Sequence, residues 1–366
     1  MGAFPCASGS WADYPDSSDW IHVRAGGDDA ADGSVASPMA TPEAALAASR
    51  IGRLRTIFIG PGEFSAHLSV HHDPGDGVSD DGLRILGCGS DETTLAAVTA
   101  ADPIVVAAEL TDFQLEGLQL AGGTRPLWIW QGANVTLTDL VIHDGATTGL
   151  LVDGADTVVT AVSIAIENTT AGEGKDDGYG LVVSRATMTL DNAAVARNRR
   201  VGIFVTGGSL TTSNLSVIDT APGDTDLDGY GIYADVSTLI VDGAVLQRNR
   251  VASVRVHMSV DTQLARVTIS ETAANDAGLY GDGILLSQTG DMDPKYFLHS
   301  LVDCVVIEST RTGILADAVT VSALDGNSVR DNGYTIDGVS IIAQEGAAMP
   351  AVGDAWAAAT TTLDYP

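Results

Sequence analysis

The sequence predicts an all-β solenoid, a single-stranded parallel β-helix with a short N-terminal capping helix, on three observations. The first is a repeat. Between about residues 110 and 342 a short apolar strand, mostly opened by a small residue, returns as Leu127–Trp130, Gly149–Val152, Gly180–Val183, Gly202–Val205, Gly231–Ala234, Ser253–Val256, Gly283–Leu286 and Gly313–Ala316. With Ile129, Leu150, Leu181, Ile203, Ile232, Val254, Ile284 and Ile314 as inward positions, the steps are 21, 31, 22, 29, 22, 30 and 30 residues. A self-similar period in this range marks a solenoid. The second observation is a further strand in each repeat, such as Leu140–Ile142, Val162–Ile166, Leu215–Ile218 and Val267–Ile269, short, alternating and rich in Val, Ile and Thr. The third is what the repeat lacks. No dozen residues carry the helical spacing of apolar positions, and no fixed Asn of a leucine-rich repeat is present. Coils of this length with two or three strands stack about 4.8 Å apart.

The N-terminal elements fit this plan. Thr41 to Ser49 reads as a helix near 42–50, with Thr41 as N-cap, Pro42 at the first helical position and Gly52 as its stop. Such a helix covers the open apolar end of a coil stack. The strand Thr56–Ile59 and the turn Gly60-Pro61-Gly62 follow. The domain organisation expected is an N-terminal extension over 1–20, the β-helix with its cap over 21–342, and a C-terminal tail or cap over 343–366.

The order Ile21-His22-Val23, Gly26-Gly27-Asp28-Asp29, Asp32-Gly33, Ser37-Pro38, helix, then Ile57 to Phe64 resembles the start of secreted right-handed parallel β-helix repeat proteins of the pectate-lyase-like superfamily. With the repeats, the resemblance covers roughly residues 20 to 342. It implies a right-handed coil and export. It does not select an activity, because this fold carries lyases, hydrolases, esterases, epimerases and adhesins. Neither the polygalacturonase signatures nor the Trp-Ile-Asp-His segment of pectate lyases is present as a set; Trp128-Ile129-Trp130 only echoes the latter. No catalytic residue is carried over.

Composition narrows the partners. The 366 residues hold 48 acids and 18 basic residues, a formal charge of −30. Nucleic acid and anionic membranes are disfavoured as partners. No apolar run is long enough to span a membrane. Residues 1–20 show no basic and apolar regions of a signal peptide, so export is expected from the resemblance alone. Of three cysteines, Cys304 reads as a small core residue, while Cys6 and Cys88 are candidates for a disulfide in an exported chain.

Three surface features carry the candidate function. The residue after each inward position forms an outward column: Trp130, Leu151, Val182, Phe204, Tyr233, Arg255, Leu285 and Leu315, with Trp128 beside it. A column this apolar is either covered, by residues 343–366 or a partner, or left open as a groove for a polysaccharide or cell-surface glycan. Insertions over 170–179, 220–230 and 272–280 end in Tyr179, Tyr230 and Tyr280, which are 51 and 50 residues apart. Two coils separate them, so a ridge of rings about 9.6 Å apart is expected. Within the second insertion Asp224, Asp226 and Asp228 with Gly229 match the first half of a calcium loop, or form an acidic turn. The third feature is a charge column, His143, Glu167, Arg197, Asp219, Arg248, Glu271, Glu308 and Arg330, read as structural, with Asn and Thr beside it as turn-capping ladders. His67, His71, His72, Asp73 and Asp76 form the densest set of potential metal ligands, in a loop-like stretch. The reading preferred is an exported β-helix that binds or displays at the cell surface; the alternative is a calcium-assisted polysaccharide lyase or glycoside hydrolase.

Overall fold

The computed structural model describes residues 19–73, 75, 77–170, 177–223, 228–289, 298–344, 346–351, 353–359 and 363. The chain divides into two compact units, Met1–Glu167 with Ala186–Met188, and Asn168–Arg185 with Thr189–Pro366. Each is built of parallel coils.

In the first unit, helix α1 spans Pro42–Gly52. The Thr41 hydroxyl accepts from the Ala44 amide at 3.2 Å, as an N-cap should. The stop is not Gly52, which remains helical, but Arg53 in the left-handed region at φ 55°. Pro42, Ala45, Leu46 and Ser49 form the buried face of α1. One parallel sheet runs through Trp20–Val23, Thr56–Ile59, Arg84–Leu86, Phe113–Ala121, Asn134–His143 and Val158–Glu167. A second runs through Leu68–Asp73, Val105–Ala108, Leu127–Trp130 and Thr148–Asp153. Cys88 is disulfide-bonded; Cys6, its expected partner, lies outside the described residues.

In the second unit the short-strand sheet runs through Tyr179–Ser184, Val201–Thr206, Tyr230–Asp235, Ala252–His257, Asp282–Ser287, Ile314–Asp317, Ile341–Ala343 and Ala357–Ala358. Opposite it stand Ser209–Ile218, Thr238–Gln247, Asp261–Ser270 and the shorter strands that follow. The described part of 343–366 therefore does more than trail as a tail: Ala357–Ala358 adds a further parallel strand. Cys304 is free and fully buried, as its strand position implied.

The ten-residue strands are bent. Asn192, Asn214, Gly243 and Arg266 have φ of 52°, 53°, 72° and 52°, and the strand pairing skips Asn214, Gly243 and Arg266. One left-handed residue turns each long strand into two, which makes three flat sides per coil. Side chains brace this corner: the Asp191 carboxylate accepts from Ser213 Oγ at 2.6 Å and Asn214 Nδ2 at 2.9 Å.

A second corner explains the glycine that opens each short strand. Asn249 is fully buried; its Oδ1 accepts from the Thr220 amide at 3.2 Å and its Nδ2 donates to the Val217 carbonyl at 3.1 Å. Asn198 and Asn332 repeat the arrangement against the amides of Thr169 and Ser309. A Cβ on Gly231 would lie 2.5 Å from the Ser253 carbonyl and 2.8 Å from Asn249 Nδ2, and one on Gly180 would meet Asn198 in the same way. The small residue is thus required by the turn-capping asparagine. Asn249→Ala would leave a buried amide and a buried carbonyl without partners, so a loss of about 2–4 kcal/mol is expected, read from chemical unfolding midpoints.

The charge column is corrected at its ends. The left-handed corner row of the second unit is Asn168, Arg197, Asp219, Arg248, Glu271, Glu308 and Asp331, so Asn168 stands in place of Glu167 and Asp331 in place of Arg330. Insertions of unequal length shift the alignment of strand ends by one residue. Arg248 binds Asp219 side-on at 2.6 and 3.0 Å, and Arg197 Nε donates to Asn168 Oδ1 at 2.9 Å. These exposed pairs hold register and each contributes at most about 1 kcal/mol.

One interior group sets a pH dependence. His299, paired in register with Thr262, is 1% exposed, and burial pushes its pKa down from 6.5 to about 4. The unfolded chain takes up this proton first. The stability from the neutral ring is therefore present above about pH 6.5 and lost as the pH falls toward 4, up to about 3 kcal/mol. His299→Leu is expected to flatten this part of the curve of melting temperature against pH relative to the parent.

Candidate functional site

The short strands of the second unit present two adjoining outward rows. Register places Val182, Phe204, Tyr233, Arg255, Leu285, Leu315 and Ile342 in one row. Tyr179, Val201 and Tyr230 start their strands one step away. The glycine between the rows turns inward onto its asparagine, which lets residues three apart, such as Tyr179 and Val182, share the outer side.

The row is covered at one end and open at the other. Leu285, Leu315 and Ile342 are fully buried, and Tyr334, Ile336, Ala357 and Leu363 pack on the same cluster. Leu363 is fixed by Gln344, whose Oε1 accepts from its amide at 2.5 Å and whose Nε2 donates to its carbonyl at 3.2 Å. Cover by the C-terminal segment, one of the two expectations, thus holds for this end. Phe204, Tyr233 and Tyr179 remain half-buried. Their rings form a continuous platform: Tyr179 to Phe204 is 5.6 Å between centroids at 24°, and Phe204 to Tyr233 is 5.2 Å at 39°. Each such pair contributes about 0.5–1.5 kcal/mol beyond its burial.

Beneath the platform sit Tyr230 and Arg255. Tyr230, expected on an exposed ridge, is 1% exposed and belongs to the cluster with Val201, Val251 and Ala252. It does share its row with Tyr179, two coils away, as the spacing required. Burial raises its phenol pKa, and the nearby Arg255 guanidinium opposes that shift. Arg255 Nη1 donates to the Tyr230 hydroxyl at 2.5 Å, and its guanidinium lies 5.2 and 5.0 Å from the ring centroids of Tyr230 and Tyr233. Tyr280, expected as the third member of the ridge, falls out of its row: the register carries the Tyr230 station through Ala252 to Asp282, and Tyr280 lies under Arg311 at 5.5 Å.

Two residues further along the same strands runs a polar row, Thr206, Asp235, His257, Ser287 and Asp317. Asp235 and His257 stand side by side on adjacent strands, about 4.8 Å apart at the backbone. Burial lowers the His257 pKa, and Asp235 opposes that shift. Sequence reading missed this row, although it follows from the aromatic column by adding two residues. Arg255 was in the column and passed over; its signal was a single charge among apolar and aromatic neighbours.

The other candidates fall elsewhere. Trp128 and Trp130 belong to the first unit, where their rings stack at 4.9 Å and Arg125 lies 5.6 Å from the Trp128 ring. Trp128 shares a row with Val106 and Leu151, whereas Trp130 pairs with Ala108 and Asp153. The expected column therefore slips by two residues here: Leu127, not Ile129, aligns with Leu150. Period-two alternation buries the same face in either register, so the apolar pattern cannot separate them. Asp224 and Asp226 lie outside the described residues; Asp228 pairs with Arg200 at 2.7 Å. Of the histidine-rich set, His67 Nδ1 is 2.9 Å from the Pro103 carbonyl and His72 Nδ1 is 2.8 Å from Asp81; Asp76 lies outside the described residues. Among the described residues no three His, Cys, Asp or Glu side chains converge as metal ligands.

Parallel coils, left-handed corners and a capping helix define a β-helix repeat protein. Residues 125–295 match the family model described as the right handed beta helix region. The fold is similar to pectate lyase Pel9A, with a TM-score of 0.58 at 12% identity over 91% of this chain and 81% of that one. It is similar to the A-module of the Azotobacter vinelandii mannuronan C-5 epimerase AlgE4, with 0.50 at 16% over 86% and 94%. It is also similar to the catalytic unit of the GH87 α-1,3-glucanase from Streptomyces thermodiastaticus strain HF3-3, with 0.52 at 15% over 88% and 67%. The chain is a right-handed parallel β-helix with the pectate-lyase-like fold. A search of the curated proteins finds no match.

Tyr230→Phe removes the one hydrogen-bond acceptor that Arg255 has among the described residues and keeps the ring. A loss of about 1–3 kcal/mol is expected, measured by denaturant unfolding, with the fold retained in circular dichroism.

Proposed function

We propose that the protein is an exported or cell-surface polysaccharide-binding β-helix whose binding face is the ring platform of the second unit. The observation that carries this reading is the unequal cover of one row: Leu285, Leu315 and Ile342 are buried under the chain's own segments, while Tyr179, Phe204 and Tyr233 stay half-exposed. A contiguous apolar surface left open in this way marks an interaction site. The rings stack on one another, with Arg200 over Tyr179 and Arg255 over Tyr233, so they present a continuous row of aromatic edges against which the C–H groups of a sugar chain can pack along the coil axis. The similar structures, a pectate lyase, a mannuronan epimerase and an α-1,3-glucanase, support a glycan over other partners. The Cys88 disulfide supports export, because such bonds persist in oxidising compartments.

A second reading, a polysaccharide lyase or glycoside hydrolase, is favoured by Asp235 beside His257, a pair able to move protons at the platform's edge. Calcium has little support in the described part of its expected site, since Asp228 is held by Arg200. Affinity electrophoresis through a panel of soluble polysaccharides separates the two readings. The protein should be retarded by at least one of them, and Phe204→Ala and Tyr233→Ala should each weaken retardation about tenfold or more. Wild-type retardation unchanged in both variants would falsify the platform. Release of reducing or unsaturated ends by the wild type, lost in His257→Ala, would replace binding with catalysis.

A further inference from the structure

Arg255 is the most deeply buried arginine among the described residues. The chain holds 48 acids against 18 basic residues, and three partly buried arginines take carboxylates: Arg50 pairs with Asp80, Arg200 with Asp228, and Arg311 with Asp282. Arg125, less buried, shares with Arg255 an Nε without an acceptor and a place on an aromatic ring. Arg255 is 8% exposed, more deeply buried than any of these three, and has no carboxylate within ion-pair distance among the described residues. The nearby acids form no ion pair with it among the described residues. Asp228 and Asp282 hold other arginines, and Asp235 is the register partner of His257. Among the described residues its one hydrogen bond goes from Nη1 to the Tyr230 hydroxyl; Nε is sealed without an acceptor, and Nη2 is left as the donor that neither bonds nor is sealed. A charged N–H of this kind bonds carboxylate and sulfate oxygens strongly. A buried cation without an anion is costly. Two phenol rings offset part of that cost and hold the group flat beside Tyr233.

We propose that Arg255 is the anion-reading residue of the platform, so that the polysaccharide taken is an acidic one bearing carboxylate or sulfate groups. This rests on the platform reading and names its ligand class. The ring edges of Phe204 and Tyr233 pack on the sugar while its acidic group accepts from Nη2 of Arg255. A chain with a net charge of −30 repels polyanions at long range, so any preference for them must come from a local cation.

The test uses paired probes with and without the anionic group: polygalacturonate against its methyl ester, and dextran sulfate against dextran, in affinity electrophoresis at 0.15 and 0.5 M salt, where the Debye length is about 8 Å and about 4 Å. The wild type is expected to bind at least one acidic member about ten- to a hundredfold more tightly than its neutral partner. Which pair shows the preference assigns carboxylate or sulfate. Arg255→Met should abolish the preference while keeping residual neutral binding, Arg255→Lys should keep part of it, and Phe204→Ala should weaken both members. Equal or better binding of the neutral members overturns this inference and leaves the platform standing. Failure to bind any probe counts against both. The wild-type comparison needs no variant, so a poorly folded Arg255→Met still leaves a decisive result.

Discussion

Parallel hydrogen bonding between successive coils governs the rest of this structure. Each strand finds its partner one coil away, so equivalent residues fall about 4.8 Å apart, and a side chain repeated at one station becomes a continuous row. The coil can close only if the backbone turns sharply at fixed stations. Non-glycine residues such as Asn192, Asn214, Arg197 and Arg248 adopt positive φ there. That conformation costs roughly 1–2 kcal/mol per residue and is offset because the turned amides bond to the next coil. The buried asparagines extend the same logic, since Asn249 serves a backbone amide and a carbonyl of the preceding coil at once.

The rows differ in what they do because they differ in what covers them. Inward rows of Leu, Ile and Val are fully buried and hold the coils together. The corner row of the second unit pairs Arg248 with Asp219 and sets Arg197 against Asn168, bonds that tie one coil to the next. The outward row of the short strands is the exception. Its Leu285, Leu315 and Ile342 end is folded into the molecule by residues 334–336 and the C-terminal segment, while the Phe204 and Tyr233 end is left accessible. The same kind of strand thus supplies core cover at one end and a recognition surface at the other.

Arg255 ties that surface to its chemistry. It stands where the row changes from rings to aliphatic side chains, held by Tyr230 below and Tyr233 beside it. A guanidinium in this position gives a row of aromatic edges one directional, charged contact. The neighbouring polar row, with Asp235 and His257, adds groups that can orient or act on whatever lies along the rings.

The repeat, the capping helix with Thr41 and Pro42, the buried Cys304 and the pairing of Phe204 with Tyr233 were all readable from residue order. Alternation, capping and period are local or nearly local signals. Three matters required the folded chain. Trp130 slipped out of its expected row because a two-residue shift leaves the apolar alternation unchanged, and only the backbone pairing of Leu127 with Leu150 chooses between registers. Tyr230 moved from an exposed ridge into the core because burial depends on what packs over a side chain, which spacing does not encode. Arg255 emerged as a buried cation without a carboxylate because pairing is a property of neighbours brought together from different coils.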